Sequence, residues 1–319
     1  MTPMSLLPST DLTLPNSYAD NLTEYEEQAK GAFERNTTRA MLSDQRLFAA
    51  YCDQASAVAM PATARTVTGF IRAMAEAGRK PASIRRYVST IAHVHRAAKA
   101  IDPTKDSSVK LCLRTMHKQQ GRAQRQAAPF KREHVDVALR QRTRLSLRDL
   151  RQRAIVAVAY DTLGRASELV RMQVRDIAPA ANGAATILIA RAKNDQEGVG
   201  SDRYLHTDTM NHVRAWLLAA GLVDGALVRA VLKGGRIGGP LHECEISRAL
   251  RELAPADAGR VSGHSLRIGA CQDMAEKGIQ LLAIQQAGGW KSATMPALYN
   301  RKQAAVTGGA AKLAKEQGR

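Results

Sequence analysis

Along most of this chain the apolar residues fall three or four apart, the repeat of a helix with one face in a core. Thr63 to Ala77 carries Val67, Phe70, Ile71 and Met74 on one face and stops at Gly78. Pro81 opens the next run, with Ile84, Val88 and Ile91 on one stripe and Arg85 and Arg86 beside it. Ser43 or Asp44 is placed to cap a helix through Leu47, Phe48 and Tyr51. Ala185 to Ala190 (ATILIA) is a β-rich run instead, and Arg203 to His206 can pair with it across a polar turn at 194–201. With aromatic residues at only 4%, the cores must be built from Ala, Leu, Val and Ile, and Ala and Leu favour helix. The expected class is mainly α with a small β-sheet.

The 319 residues exceed what one core usually supports, ~250–300 residues, so two domains are expected. Residues 1–16, rich in Pro, Ser and Thr, read as a flexible arm. A helical domain of four or five helices follows over 17–124, a linker over 125–131, and a second domain over 132–319. In the second domain helices are expected at 132–142, 147–163, 208–220, 243–253, 265–277, 279–287 and 293–302. A small-residue helix is expected at 303–316. Lys233-Gly234-Gly235-Arg236 reads as a β-turn; without a GK[ST] ending it is no phosphate-binding P-loop.

Lys and Arg number 47 against 29 Asp and Glu, a net charge of +18. A charge of that size points to a polyanion or an acidic membrane as partner. The membrane reading is the weaker of the two: Ala154 to Tyr160, the longest apolar stretch, is far short of the ~18 residues a spanning helix needs. Met1 to Asn21 has no Lys or Arg and no long apolar run, so it is not a secretion signal, and a cytoplasmic location is expected. Cys52, Cys112, Cys244 and Cys271 are scattered without a CxxC, and the His93/His95 and His242/Cys244 pairs lack a second pair at zinc-finger distance. No metal or cofactor is expected. Lys110 to Arg132 holds seven Lys or Arg and no Asp or Glu. Within it Lys110, Arg114, Lys118 and Arg122 recur every four residues, one basic ridge if helical. Solvated faces normally mix signs, so a pure basic ridge fits a strap on a phosphate backbone.

Three short strings carry candidate chemistry. In Tyr160 to Leu169 an apolar helix breaks at Gly164, Arg165 opens the next turn, and Glu168 follows at helical spacing. Alone, that is a local ion pair. Gly263-His264-Ser265-Leu266-Arg267 sets His264 and Arg267 on one face near a helix N-terminus, whose partial positive charge and free N–H groups favour phosphate. Gly288-Gly289-Trp290 is followed nine residues later by Tyr299. The bland reading is a core Trp and a surface Tyr.

In the order Arg, hairpin Lys, His-x-x-Arg, Gly-Gly-Trp, Tyr, the second domain resembles the tyrosine recombinase (phage integrase) family. The shared strings are G-H-S-x-R-x-G-A at 263–270 and Q-A-G-G-W at 286–290, with Tyr299 at the family spacing from the Trp. The first domain is similar, more loosely, to the family's helical core-binding (SAM-like) clamp. The likeness covers most of the chain after about residue 20. It implies an N-terminal helical bundle plus a C-terminal α+β catalytic domain.

The resemblance also implies roles. Arg165 and Arg267 grip the scissile phosphate, and Lys193, in Arg191-Ala192-Lys193-Asn194, is the active-site lysine. His264 is the His of the pair, Glu168 supports the site, and Tyr299 is the nucleophile. Trp290 stands where most relatives carry a second His. Arg248 matches a residue that contacts a base, as Arg does at guanine, although a solvated Arg would look the same. The implied reaction passes through a 3′-phosphotyrosine and a Holliday junction on double-stranded DNA with inverted-repeat half-sites. The implied assembly is a homotetramer on two sites, with the 303–316 helix docking into a neighbour. One departure is Pro296, three residues before Tyr299, where helix formers are usual; the helix carrying Tyr299 is expected to be short or mobile.

The chemistry agrees with these roles. An in-line attack spreads negative charge over non-bridging oxygens, which two guanidiniums can clamp bidentately. The bond energy is kept in the intermediate, so neither ATP nor metal is required. Two other readings remain open on sequence: a type IB topoisomerase-like enzyme, and a non-catalytic DNA-binding protein.

Overall fold

The computed structural model describes residues 16–122, 126–140, 145–190 and 200–319. The chain forms two compact units, Met1–Arg125 and Gln126–Arg319. The arm expected over residues 1–15 and the linker residue 125 lie outside the described residues.

The first unit is α1 (Asn16–Gln28), α2 (Arg35–Gln54), α3 (Ala64–Glu76), α4 (Pro81–Ala97) and α5 (Ser107–Gln120). Its core gathers Phe48, Val67, Phe70, Ile71, Ile84, Val88 and Ile91, the stripes read from the sequence, with Val109 and Met116 of α5. Thr63 caps α3 by accepting the Thr66 N–H, and Pro81 opens α4. The expected cap at Ser43 or Asp44 is not there: α2 runs through both without a break. Asp44 is 2% exposed and is matched instead by tertiary partners, Thr90 Oγ1 at 3.0 Å and Arg86 Nη2 at 3.0 Å. Burial holds its carboxyl above the usual range, opposed by those two partners.

In the second unit the core closes around α7 (Leu147–Thr162), whose Ala154, Ile155, Val156 and Val158 are all buried. Ser146 and Asp149 form a capping box at its start. Before it comes α6 (Arg132–Arg140), and after it the short α8 (Ala166–Leu169). Strands β1 (Ile177–Pro179), β2 (Ala185–Ile189) and β3 (Ser201–Leu205) make an antiparallel sheet in sequence order. α9 (Thr207–Ala220) then buries Trp216 completely, its Nε1 donating to the Leu227 carbonyl at 2.8 Å. β4 (Arg229–Val231) and β5 (Ile237–Pro240) form a hairpin around Lys233–Gly235, so the expected turn joins two strands that its sequence alone did not reveal. The rest is helical: α10 (Glu243–Leu253), α11 (Ser265–Glu276), α12 (Leu281–Gly288), α13 (Thr294–Tyr299), α14 (Arg301–Thr307) and α15 (Gly309–Glu316).

Two expectations need correction here. The linker placed at 125–131 is, from Gln126 on, part of the second unit. Phe130 is fully buried, and its N–H donates to the Ser265 carbonyl at 2.9 Å. The helix expected at 303–316 is two helices, because Gly308 leaves helical geometry at ψ −171°.

Candidate active site

The site begins where α7 ends. Leu163 takes left-handed backbone angles (φ 50°, ψ 29°), which turns the chain sharply. Gly164 is packed so closely that a Cβ would lie 2.9 Å from Thr162 Oγ1 and 3.1 Å from Leu169. Arg165 therefore opens α8, and Glu168 folds back on it. Glu168 Oε1 meets Arg165 Nη1 at 2.5 Å, and its Oε2 accepts the Arg165 backbone N–H at 2.8 Å. Glu168 is 5% exposed, so this is an interior ion pair.

Arg267 stands on α11 and is 2% exposed. Its Nη1 donates to the Leu163 carbonyl, and its Nη2 donates to the Gly288 carbonyl at 2.7 Å. The guanidinium lies over the Trp290 ring, 4.1 Å from its centroid. Burial brings the guanidinium down to about 10, with Arg165 and then Arg203 adding to the fall and Glu168 and Tyr299 opposing it. It stays charged at neutral pH, at an electrostatic cost that an anion beside it would relieve.

The Trp290 ring meets the Tyr299 ring edge to face, centroids 5.9 Å apart at 69°. Tyr299 closes α13, a helix of six residues, so the expectation of a short helix is met. Pro296 is the third residue of α13, where a missing N–H costs no helical hydrogen bond. Two side chains anchor this helix to α11: Gln272 Nε2 donates to the Tyr299 carbonyl at 2.9 Å, and Asn300 Nδ2 donates to the Pro296 carbonyl at 3.0 Å and to Cys271 Sγ at 3.3 Å.

The fold thus gathers Arg165, Glu168, Arg267, Trp290 and Tyr299 from four separate elements. His264 sits at the N-cap of the helix that carries Arg267, solvent-exposed. Lys193 lies outside the described residues. Sequence reasoning missed Arg203, an inward residue of β3 that is 8% exposed and acts electrostatically on both Arg165 and Glu168. Its parity with Leu205 was the available signal, offset by Tyr204 on the other face of the strand. Among the described residues no group of three or more His, Cys, Asp or Glu is placed to hold a metal.

The candidate DNA-contact residues divide. Lys110, Arg114 and Lys118 form an exposed face of α5 opposite Val109 and Met116. Arg122 does not continue that ridge, since α5 ends at Gln120 and Gly121 turns away at φ +74°. Arg85 is exposed, while Arg86 is tied to Asp44 and lies 5.3 Å from the Tyr87 ring centroid. Arg248 is 58% exposed and pairs with Glu245 at 2.7 Å.

Residues 132–305 match the model of the phage integrase family. The chain belongs to that family. This phage integrase family member is a site-specific recombinase of the tyrosine type, which sets aside the topoisomerase and non-catalytic readings. It is 28% identical to the recombinase Cre of Escherichia phage P1 over 304 residues, covering 88% of each chain. It is 26% identical to an integrase/recombinase XerD homologue of Selenomonas ruminantium over 305 residues, 90% of this chain and 89% of that one. In fold it resembles lambda integrase, solved as a dimer bound to a COC′ core site (17% identity, TM-score 0.59, 89% of this chain and 76% of that one). The Tn1549 transposon integrase in complex with transposon right end DNA is similar to the same degree (14% identity, TM-score 0.59, 89% and 93%). No described helix is long and apolar enough to cross a membrane.

Proposed function

We propose that this recombinase cuts one DNA strand at a time by attack of Tyr299 on a phosphodiester, forming a 3′-phosphotyrosine. The observation that carries this reading is a buried imbalance of charge beside a phenol. Arg165, Arg203 and Arg267 act on one another electrostatically; among the described residues Glu168 is the anion that acts on both Arg203 and Arg267, Asp202 acts on Arg203, and Tyr299 acts on Arg267. Interior cations without matching anions are costly, so the pocket is suited to a bound phosphate.

Arg165 and Arg267 clamp the non-bridging oxygens. Arg267 spends two of its five N–H donors on carbonyls and keeps three for the phosphate. Glu168 holds Arg165 in place, and Trp290 packs between Arg267 and Tyr299. His264, at the start of α11, moves the proton of the attacking phenol, and Lys193 protonates the departing 5′-oxygen. A second attack by the freed 5′-hydroxyl rejoins the strand and exchanges partners through a Holliday junction.

The first unit serves as the core-binding clamp domain, with Lys110, Arg114 and Lys118 against phosphates. Arg85 and Arg122 add to that contact, Arg86 less so because Asp44 occupies it, and Arg248 reaches a base. The substrate is a pair of inverted-repeat half-sites, the active assembly a homotetramer on two sites, and the setting the bacterial cytoplasm. α14 and α15 provide the docking element between protomers.

The test is a suicide substrate whose nicked strand lets the 5′-end diffuse away. The wild-type enzyme should leave an SDS-resistant protein–DNA adduct. Tyr299→Phe should bind the site and give none, and Arg267→Ala should slow adduct formation by about 10²–10³-fold. Adduct formation by Tyr299→Phe would overturn the assignment.

A further inference from the structure

The β3 strand reads Ser-Asp-Arg-Tyr-Leu, with Arg203 and Leu205 turned inward and Asp202 and Tyr204 outward. Arg203 stands opposite Ile187, which is fully buried. An arginine in such a place needs partners, and beside the charges of Glu168 and Asp202 it donates, among the described residues, to backbone carbonyls. Its Nη1 donates to the Gln286 carbonyl at 3.2 Å and to its own neighbour's, Asp202, at 3.4 Å. Gln286 lies in the last turn of α12, at the negative end of that helix, where a guanidinium is favoured. The other terminal nitrogen presses on the next turn residue: a Cβ built at Gly289 would stand 2.1 Å from Arg203 Nη2. Gly289 is also left-handed (φ +61°), so this turn needs glycine twice over.

The same turn is held from the other side. Arg267 Nη2 donates to the Gly288 carbonyl, two residues beyond the carbonyl that Arg203 holds. Trp290 follows directly, stacked under Arg267 and against Tyr299. Two guanidiniums, from β3 and α11, thus grip one helix end whose next residue touches the nucleophile. Stability alone does not account for this choice: burial, Arg165 and Arg267 oppose the charge while Glu168 and Asp202 favour it, and an apolar side chain of similar volume is often neutral or better in such a site.

We propose that Arg203 is a positioning residue for strand cleavage: it fixes the turn 286–289 and so keeps Trp290, Arg267 and Tyr299 in register. This rests on the reading of Tyr299 as nucleophile and Arg267 as phosphate clamp. It adds a residue whose work is done through the turn rather than on the phosphate.

The experiment separates binding, folding and chemistry. Arg203→Met and Arg203→Lys are compared with wild type in thermal melts, in half-site affinity by gel shift, and in single-turnover adduct formation on a suicide half-site. Arg203→Met should melt at or above the wild-type temperature and bind the half-site as wild type does, yet form adduct about 10²-fold more slowly. Arg203→Lys, which keeps the charge but loses the fork, should fall between the two. Gly289→Ala should slow wild type as well. Combined with Arg203→Ala it should cost less than the product of the two losses, because the side chain it collides with is gone. An Arg203→Met enzyme within about twofold of the wild-type rate overturns the proposal. So does a rate loss matched by equal losses of folding or half-site binding in both variants, which makes Arg203 merely structural. Absence of adduct from the wild type would instead refute the Tyr299 reading, an outcome distinct from both.

Discussion

Replacing Glu168 with Gln isolates the electrostatics of the site. The carboxylate is 5% exposed, holds Arg165 Nη1 at 2.5 Å, and accepts the Arg165 backbone N–H at 2.8 Å. Removing one partner of a buried pair typically costs about 3–5 kcal/mol, because the surviving charge is left without a counter-ion. Gln is isosteric and keeps one acceptor, which returns about 1 kcal/mol. The expected net loss is about 2–4 kcal/mol. For a unit of this size each kcal/mol moves the melting temperature by about 2–4 °C, so Glu168→Gln should melt about 5–15 °C lower. A second signature follows from the charge count. With Glu168 neutral, Arg165, Arg203 and Arg267 face one another without their shared carboxylate. A divalent oxyanion should then stabilise the variant more than the wild type. The assay is a thermal melt of both proteins without DNA, in chloride and in sulfate at equal ionic strength. A variant that melts within about 1 °C of wild type, or gains no more from sulfate, refutes the reasoning.

Other expectations follow from packing and charge. Gly269→Ala would place a Cβ 2.0 Å from the Phe130 carbonyl oxygen, backbone that is itself hydrogen-bonded to Ser265, so urea melts should show a loss of at least about 2–3 kcal/mol. His95 is 1% exposed; its Nε2 accepts the Ala62 N–H at 2.9 Å, so its Nδ1 carries the proton and donates to the Ile91 carbonyl at 2.8 Å. Burial lowers its pKa below the ordinary 6.5, against the opposing Ile91 bond and Asp102, and burial with Arg96 does the same to His93. The unfolded chain then binds more protons, so stability should be level above pH 6.5 and fall below it by up to ~1.4 kcal/mol per pH unit for each histidine. His95→Gln should reduce that acid slope in melts taken from pH 7.5 to 5. Neutralising Lys110, Arg114 or Lys118 one at a time should weaken binding to all DNA sequences alike. Each should also reduce the slope of log affinity against log salt by about 1, and an unchanged slope would remove that residue from the phosphate contacts.

Helix-forming stripes and the strings around Arg267, Trp290 and Tyr299 could be read because their information is local. Val67, Phe70 and Ile71 share a face at helical spacing and share a core in the fold. What eluded the sequence was set by distant partners. Asp44 has the residue type of a cap, but Thr90 and Arg86, more than forty residues away, hold it mid-helix. Phe130 looked like linker because its backbone runs against Gly269, a residue far along the chain whose missing side chain makes room for it. Arg203 was hidden by the strand itself. Leu205 and Tyr204 put an apolar residue on each face of β3, so a five-residue strand leaves its inward side undecided without a partner strand. Lys110 to Arg122 kept its four-residue rhythm past the point where Gly121 ends the helix, since charge spacing carries no signal for a helix stop.

The most direct measurement is the mass of the peptide that ends up bonded to DNA. Wild-type adduct trapped on a suicide substrate would be trimmed with nuclease, digested with protease and sequenced by tandem mass spectrometry. The nucleotide remnant should sit on the phenolic oxygen of Tyr299, linked through a 3′-phosphate. A remnant on any other side chain, or attachment through a 5′-phosphate, would contradict the account.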